Sequence, residues 1–132
     1  MDSGASGLIL DTNAVSALAK EDPGINAVLA AAAHMALPVP VIGEYRYGIA
    51  QSKRSAIHGK WFENFLADCV LLDVTNETTH HYAAIRLEIR LIGKPIPAND
   101  IWIAALCRQH NFPLLSRDRH FDVVRGLNRL DW

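Results

Sequence analysis

Four carboxylate side chains lie where this sequence passes from an apolar segment to a turn or a helix. They are Asp11, Glu44, Asp100 and Asp118. Asp11 and Asp118 each follow a short apolar run, Asp100 opens an apolar helical segment, and the fourth acid lies inside a helical pattern. Clustered carboxylates repel one another until a hard divalent cation binds between them. If the fold brings these positions together, the pattern predicts a metal-dependent enzyme that transfers phosphoryl groups.

Each of these acids also has an interpretation that involves no chemistry. Asp11 can cap a helix, and Asp100 can be a first-turn residue favoured by the helix dipole. Glu44 can be a solvated residue on a helix face, and Asp118 can belong to a turn. Asp100 is the hardest to explain in this way because it shares a helical face with small and apolar residues. No single acid decides between the two interpretations.

The elements that must position these acids alternate between short apolar runs and longer helical segments. This alternation predicts an α/β fold with a mainly parallel sheet. Strands are predicted at residues 8–10, 35–39, 70–72 and 113–116, with a short edge strand within 127–132. Helices are predicted at residues 12–20, 25–33, 41–52, 57–67, 76–92 and 98–110. Open α/β sheets place ligands beyond the carboxyl ends of their strands, where Asp11 would lie.

Composition limits the class of protein. The chain has 132 residues, half of them hydrophobic, and a formal net charge of -1. We therefore predict one globular domain over residues 1–132, with residues 1–7 as a flexible leader. Cys69 and Cys107 are predicted to be free thiols, since they form no CxxC pair. No segment is typical of a signal peptide or a membrane span, so we expect a cytoplasmic protein.

Two further groups of residues could assist the carboxylates. A hydroxyl at Ser116 could support the neighbouring Asp118, although a plain strand-end serine is equally compatible with the sequence. Basic residues begin two positions after Glu44, and a contact with an RNA backbone is one interpretation of them. The other interpretation is a solvated basic face. The residues concerned are Arg46, Lys53 and Arg54.

Four short motifs give the chain a resemblance to a known family. They are Leu-Ile-Leu-Asp-Thr-Asn at residues 8–13, Gly-Glu-Tyr-Arg-Tyr-Gly at 43–48, Asn-Asp-Ile-Trp-Ile-Ala-Ala at 99–105 and Ser-Arg-Asp-Arg-His-Phe at 116–121. In this order and spacing the chain resembles a PIN domain, and more narrowly the VapC-type toxins of bacterial type II toxin–antitoxin pairs.

The resemblance implies a three-layer α/β/α sandwich and an endoribonuclease that depends on Mg²⁺ or Mn²⁺ and inhibits translation. The catalytic and metal-binding acids of the family fall on Asp11, Glu44, Asp100 and Asp118. Asn13 matches a polar position that supports the first aspartate. Ser116 stands where the family often has threonine, which puts only the restraint on the hydroxyl rotamer in doubt.

The resemblance also implies partners. It implies a homodimer and a cognate VapB-type antitoxin, whose C-terminal segment wraps the toxin and places an arginine in the acidic pocket. An apolar group could form the groove for an antitoxin helix, or it could simply be core: Val41, Ile42, Tyr45, Ile49, Trp61 and Phe65.

Two alternatives to the ribonuclease belong to other classes of protein. A haloacid-dehalogenase-type phosphatase needs an aspartate two residues after the first, and Asn13 stands there. A non-catalytic PIN-like module that binds RNA or protein remains the open alternative, because a fold can persist without its chemistry.

Overall fold

The computed structural model describes residues 7–132, and its elements follow the predicted order. The strands are β1 (Gly7–Leu10), β2 (His34–Pro38), β3 (Cys69–Leu72), β4 (Leu114–Leu115) and β5 (Arg129–Leu130). The α-helices are α1 (Thr12–Ala19), α2 (Pro23–Ala30), α3 (Val39–Gln51), α4 (Ser55–Leu66), α5 (Asn76–Ile92) and α6 (Ala98–His110). A 3₁₀ helix (Arg119–Val123) lies between β4 and β5. Residues 1–6 of the predicted leader lie outside the described residues.

Gly7 belongs to β1, so the prediction that the leader extends to residue 7 is wrong. Gly7 is buried and pairs in parallel register with His34. A Cβ atom at this position would lie 2.6 Å from the Phe112 ring and 2.8 Å from the His34 ring. The close approach of these rings therefore favours glycine. The strand was predicted from its apolar side chains, and glycine has none, so Gly7 was left out of it.

The prediction of a mainly parallel sheet is confirmed. The strand order is β3-β2-β1-β4-β5, and all four neighbouring pairs are parallel. Every residue of β1 is buried, although successive side chains of a strand point to opposite faces. Both faces of the sheet are therefore covered at its centre, as expected for helices packed on either side. The architecture is the predicted three-layer α/β/α sandwich.

The strand order places a topological switch at the middle of the sheet. From β1 the chain builds β2 and β3 on one side and then returns to build β4 and β5 on the other. A crevice opens at such a switch, beyond the carboxyl ends of the two strands that flank it. Asp11 directly follows β1, and Ser116 directly follows β4. The fold therefore brings residues from the two ends of the sequence to one edge.

Several helix ends differ from the prediction by one to three residues, and two of the early starts involve proline. α3 begins at Val39, two residues earlier than predicted, with Pro40 in its first turn. Proline is tolerated there because the first N–H groups of a helix have no intrahelical acceptor. α5 has the predicted bounds, with Thr75 as its N-cap and Gly93, at φ 66°, as its C-cap. Among the described helices, none combines the length and apolar character that crossing a bilayer would need.

The two cysteines are free thiols with structural surroundings. Cys107 is buried in α6, and Cys69 is half-buried at the start of β3. Burial and the negative charge of Asp68 raise the pKa of Cys69 to about 11. Burial also raises the pKa of Cys107. Both thiols are therefore protonated at neutral pH and are poor nucleophiles.

Candidate active site

The four predicted carboxylates line a single open cleft at the carboxyl ends of β1 and β4. The cleft has a volume of about 400 Å³. Its lining residues are Asp11, Thr12, Asn13, Ser16, Glu44, Asp100 and Asp118. The acids come from the end of β1, from α3, from the first turn of α6 and from the segment after β4. The cleft is therefore assembled by the fold from distant parts of the chain.

Asp11 is held at the bottom of this cleft by two hydrogen bonds. Its Oδ1 accepts the backbone N–H of Thr12 at 2.8 Å, and its Oδ2 accepts the hydroxyl of Ser116 at 2.7 Å. Asp11 is only 4 % exposed. It therefore caps α1 and lines the cleft at once, so the two interpretations of this residue are compatible.

Ser116 joins three parts of the site. Besides donating to Asp11, its hydroxyl oxygen accepts the backbone N–H of Asp118 at 3.0 Å and the side-chain amide of Asn13 at 3.3 Å. The amide oxygen of Asn13 in turn accepts the backbone N–H of Arg117 at 3.3 Å. Ser116 is fully buried. Its hydroxyl therefore fixes Asp11 directly and Asp118 only through the backbone.

Glu44 is oriented by two residues that the sequence did not single out. Its Oε1 accepts the amide of Asn99 at 2.8 Å and the hydroxyl of Thr12 at 3.2 Å. These contacts tie α3 to the starts of α6 and α1. A signal for both was present, because Thr12 follows Asp11 and Asn99 precedes Asp100. Thr12 and Asn99 are polar residues next to two of the acids, and their positions could have suggested that they orient Glu44.

His120 is the functional candidate that sequence reasoning missed. Its Nε2 atom lies 2.8 Å from Oδ2 of Asp100 and 4.0 Å from Oδ2 of Asp118. Asp100, Asp118 and His120 each offer one possible metal-ligand atom, all within 4.8 Å of one another. The spacing of two residues between Asp118 and His120 does not by itself predict a functional role for the histidine. The turn into the 3₁₀ helix, which the sequence did not predict, brings its side chain next to Asp100 and Asp118.

The electrostatics of the cleft favour protons or cations. Burial raises the pKa of Asp100 to about 6, with the negative charge of Asp11 as the next cause. Burial and the charge of Asp118 raise the pKa of Asp11, against the lowering effect of its hydrogen bonds to Ser116 and Thr12. Shifts of this kind show that ionised carboxylates are destabilised here. Their oxygen atoms are the ligands that Mg²⁺ and Mn²⁺ prefer, so the donor set fits such a cation.

The predicted RNA-binding residues lie outside the cleft as the structure describes it. Arg46 forms an ion pair with Glu63, and its guanidinium lies over the Phe62 ring at 5.4 Å from the centroid. Lys53 and Arg54 are exposed in the segment between α3 and α4. Any contact of these three residues with a substrate would therefore be made away from the carboxylates.

Comparison with known proteins shows the family of this chain. Residues 8–127 match the PIN domain. Ribonuclease VapC2 of Haemophilus influenzae is 30% identical over 127 residues, which cover 94% of this chain and 96% of the relative. Ribonuclease VapC5 of Mycobacterium tuberculosis is 24% identical over 94 residues, or 70% of each chain.

A solved structure agrees with this match. A chain of VapBC2 from Rickettsia felis, crystallised with a DNA fragment from its promoter, has a TM-score of 0.85 and 25% sequence identity. The likeness covers 96% of this chain and 98% of that one. The chain therefore belongs to the PIN domain family and, within it, to the VapC group.

Proposed function

We propose that this chain is a divalent-cation-dependent endoribonuclease and the toxin of a type II toxin–antitoxin pair. Its cleavage of RNA would inhibit translation. The observation that carries the proposal is the convergence of Asp11, Glu44, Asp100 and Asp118 on one cleft. The Haemophilus influenzae relative is named a ribonuclease, which supports RNA as the substrate.

In this proposal Mg²⁺ or Mn²⁺ is held by oxygen atoms of the four carboxylates. When bound, the cation supplies Lewis acidity for a phosphoryl oxygen and lowers the pKa of an attacking water. Asp11 is restricted as a cation ligand, because both of its carboxylate oxygens already accept hydrogen bonds. Each oxygen retains a second lone pair that can face a cation. Asp100 and Asp118 accept fewer hydrogen bonds within residues 7–132 and are the freer ligands.

The remaining side chains position these ligands. Ser116 and Asn13 hold Asp11 and the turn that leads to Asp118. Glu44 uses Oε1 for both of its hydrogen bonds. This leaves its Oε2 to accept a proton from water or to bind the cation through a water molecule. Such preorganised groups lower the barrier because they need not reorganise during the reaction.

The RNA is proposed to contact the exposed basic residues beyond α3. Lys53 and Arg54 are the freer pair, while Arg46 would have to exchange Glu63 for a phosphate. Phosphate contacts position a nucleic acid without reading its sequence. We therefore expect these residues to contribute affinity for RNA more than choice of the cleavage site.

The proposed partner is an antitoxin of the VapB type. A cleft of about 360 Å³ lies between α1, α3 and α4 and is lined by Ser16, Ala19, Lys20, Tyr45, Ile57, His58 and Trp61. Ile57 is 65% exposed. Val41 is fully buried and belongs to the core. The groove is therefore formed by only some of the apolar residues that the sequence suggested for it. An amphipathic antitoxin helix would bury this surface, and a basic residue of its tail would offset the carboxylates.

We also propose that the chain forms a homodimer and acts in the cytoplasm as a single domain. α5 presents Leu87 and Leu91 four residues apart on one face, 56% and 76% exposed. Large apolar side chains exposed in this way are typical of an interface. Sedimentation of a Leu91→Glu variant should show the monomer if this face forms the dimer.

Growth of a bacterial host tests the function as a whole. Expression of the chain alone should arrest growth, and co-expression of a cognate antitoxin should relieve the arrest. A folded and abundant chain that leaves growth unchanged would contradict the toxin proposal. The non-catalytic module would then be the better account.

A further inference from the structure

We propose that His120 is a direct nitrogen ligand of the divalent cation in the acidic cleft. As a consequence, the site would bind Mn²⁺ in preference to Mg²⁺. This inference rests on the proposed function, since it concerns the same metal site. It adds a ligand that the four carboxylates alone do not include, and it states a metal preference.

The first support is the spacing of the three candidate ligand atoms. Nε2 of His120 lies 2.8 Å from Oδ2 of Asp100 and 4.0 Å from Oδ2 of Asp118. In an octahedral site with bonds of about 2.1 Å, neighbouring ligand atoms are about 3 Å apart and opposite ones about 4 Å apart. The observed separations fall close to this range. The three side chains are therefore near enough to share one cation without rearrangement of the backbone.

The second support is the state of the Nε2 atom itself. It is buried and has no hydrogen-bond partner within residues 7–132. The nearby oxygen of Asp100 does not satisfy it, because at 2.8 Å the contact lacks the alignment of a hydrogen bond. A buried polar atom without a partner costs free energy. A cation on this nitrogen would remove that cost.

The third support is that the ring is held in place. His120 lies in the 3₁₀ helix next to Phe121, and the two rings are 4.7 Å apart between centroids. Phe121 is fully buried and belongs to the main core cluster. The imidazole is therefore attached to a rigid part of the fold. Ligands that are already positioned lose less freedom when a metal binds.

The metal preference follows from ligand chemistry. Mg²⁺ strongly favours oxygen ligands and gives up water reluctantly. Imidazole nitrogen suits transition metals better, and Mn²⁺ is the member of that series that also accepts carboxylates well. One nitrogen among several oxygens should therefore raise the affinity for Mn²⁺ while changing the affinity for Mg²⁺ little.

The experiment measures metal binding instead of RNA cleavage. Purified wild-type protein is loaded with Mn²⁺, and pulsed electron paramagnetic resonance is used to detect coupling of the ion to ¹⁴N. The variants are His120→Ala and His120→Gln, with His80→Ala as the matched control because His80 is an exposed residue of α5. Calorimetric titrations with Mn²⁺ and with Mg²⁺ give the two dissociation constants of each protein, and thermal melts establish that each is folded.

We expect the nitrogen coupling in wild type and in His80→Ala, and its loss in both His120 variants. Their affinity for Mn²⁺ should fall about tenfold or more, since even the loss of a group that orients a ligand commonly costs that much, and their affinity for Mg²⁺ should fall by less than about twofold. Wild-type protein that binds Mn²⁺ without nitrogen coupling would overturn the inference and leave the proposed ribonuclease intact. Equal losses of Mn²⁺ and Mg²⁺ affinity would also overturn it, because they would assign His120 a purely structural role. Conversely, nitrogen coupling in a protein that cuts no RNA would support the ligand and refute the proposed function.

Discussion

The hydroxyl of Ser116 donates a hydrogen bond of 2.7 Å to Oδ2 of Asp11, across 105 residues of sequence. This contact joins the ends of β1 and β4, the two strands that flank the switch point of the sheet. It lies in the buried part of the cleft, where a hydrogen bond to an ionised group is stronger than in water. The position of the innermost carboxylate therefore depends directly on one small side chain.

Replacing Ser116 with alanine should destabilise the protein and weaken metal binding. The change leaves Oδ2 of the buried Asp11 without its donor, which typically costs about 1–3 kcal/mol of unfolding free energy. Urea unfolding monitored by circular dichroism measures this difference. Ser116→Thr is the matched control, because it retains the hydroxyl and should recover most of the metal affinity. An alanine variant as stable as wild type would show that the hydrogen bond contributes nothing.

Divalent metal should stabilise the native protein. The cation relieves the repulsion among the carboxylates and binds the native state alone, which at a hundredfold excess over its dissociation constant adds roughly 2.7 kcal/mol. Thermal melts in EDTA and in millimolar Mg²⁺ or Mn²⁺ test this on protein free of antitoxin. Asp100→Asn should show a smaller shift. Identical melting temperatures for the wild type in EDTA and in metal would argue against a preformed site.

The titration of Asp100 should lower the stability of the metal-free protein as the pH rises from about 4 to about 6. The pKa of Asp100 is raised from 3.8 to about 6 in the folded state, so this state binds more protons than the unfolded state within that window. The unfolding free energy changes with pH in proportion to the protons bound by the unfolded state minus those bound by the folded state. This difference is negative here, so the stability falls as the pH rises. The loss from this residue is absent below the unfolded pKa and complete above the folded one.

The pH dependence must be measured as a difference between two proteins. The carboxyls of Glu88 and Asp122 have lowered pKa values, chiefly through hydrogen bonds from Arg108 and Arg129, and they contribute in the opposite direction. Urea unfolding in EDTA should therefore be compared between wild type and Asp100→Asn at pH 4 and pH 7. The unfolding free energy of the variant should rise relative to that of wild type at pH 7 but not at pH 4. An equal difference at both pH values would contradict the raised pKa.

A charge in the apolar cleft between α1, α3 and α4 should abolish antitoxin binding without harming catalysis. Ile57 lines this cleft and is 65% exposed, so Ile57→Glu should fold normally yet repel an apolar helix. Binding of a cognate antitoxin can be measured by calorimetry, and RNA cleavage by the free toxin in parallel. Val74→Glu is the control, since Val74 is exposed but lies outside this cleft. Tight binding by Ile57→Glu would place the antitoxin elsewhere.

The sequence predicted the fold well because the strands and helices carry strong local signals. The buried run at residues 8–10 and the caps of α5 at Thr75 and Gly93 depend only on neighbouring residues. Gly7 was misplaced because glycine has no side chain to show a pattern. Short-range patterns therefore predicted every strand and α-helix, but they did not predict all of their ends or the 3₁₀ helix.

The sequence indicated the four acids and two of the side chains around them, Asn13 and Ser116, but it did not single out Thr12, Asn99 or His120. Asp11 and Asp100 stand out because the first ends an apolar run and the second opens an apolar helix. Asn99 stands beside Asp100 in the sequence, but its contact with Glu44 spans 55 residues, and His120 reaches Asp100 around an irregular turn. The ion pair between Arg46 and Glu63 was likewise invisible, because it joins two helices through exposed side chains. Tertiary contacts, and not residue type, decided these cases.

Cleavage of RNA by the purified, antitoxin-free protein tests the central claim most directly. Total cellular RNA is incubated with wild type, Asp11→Asn, Asp100→Asn and Glu44→Gln, in Mg²⁺ or Mn²⁺ and in EDTA, and the cut ends are mapped. Asp73→Asn is the control, since Asp73 is an exposed acid outside the cleft. We predict cleavage by wild type and the control in metal only, none by the two aspartate variants and a partial loss in Glu44→Gln. Cleavage by folded Asp100→Asn at the wild-type rate, or undiminished cleavage in EDTA, would contradict the account.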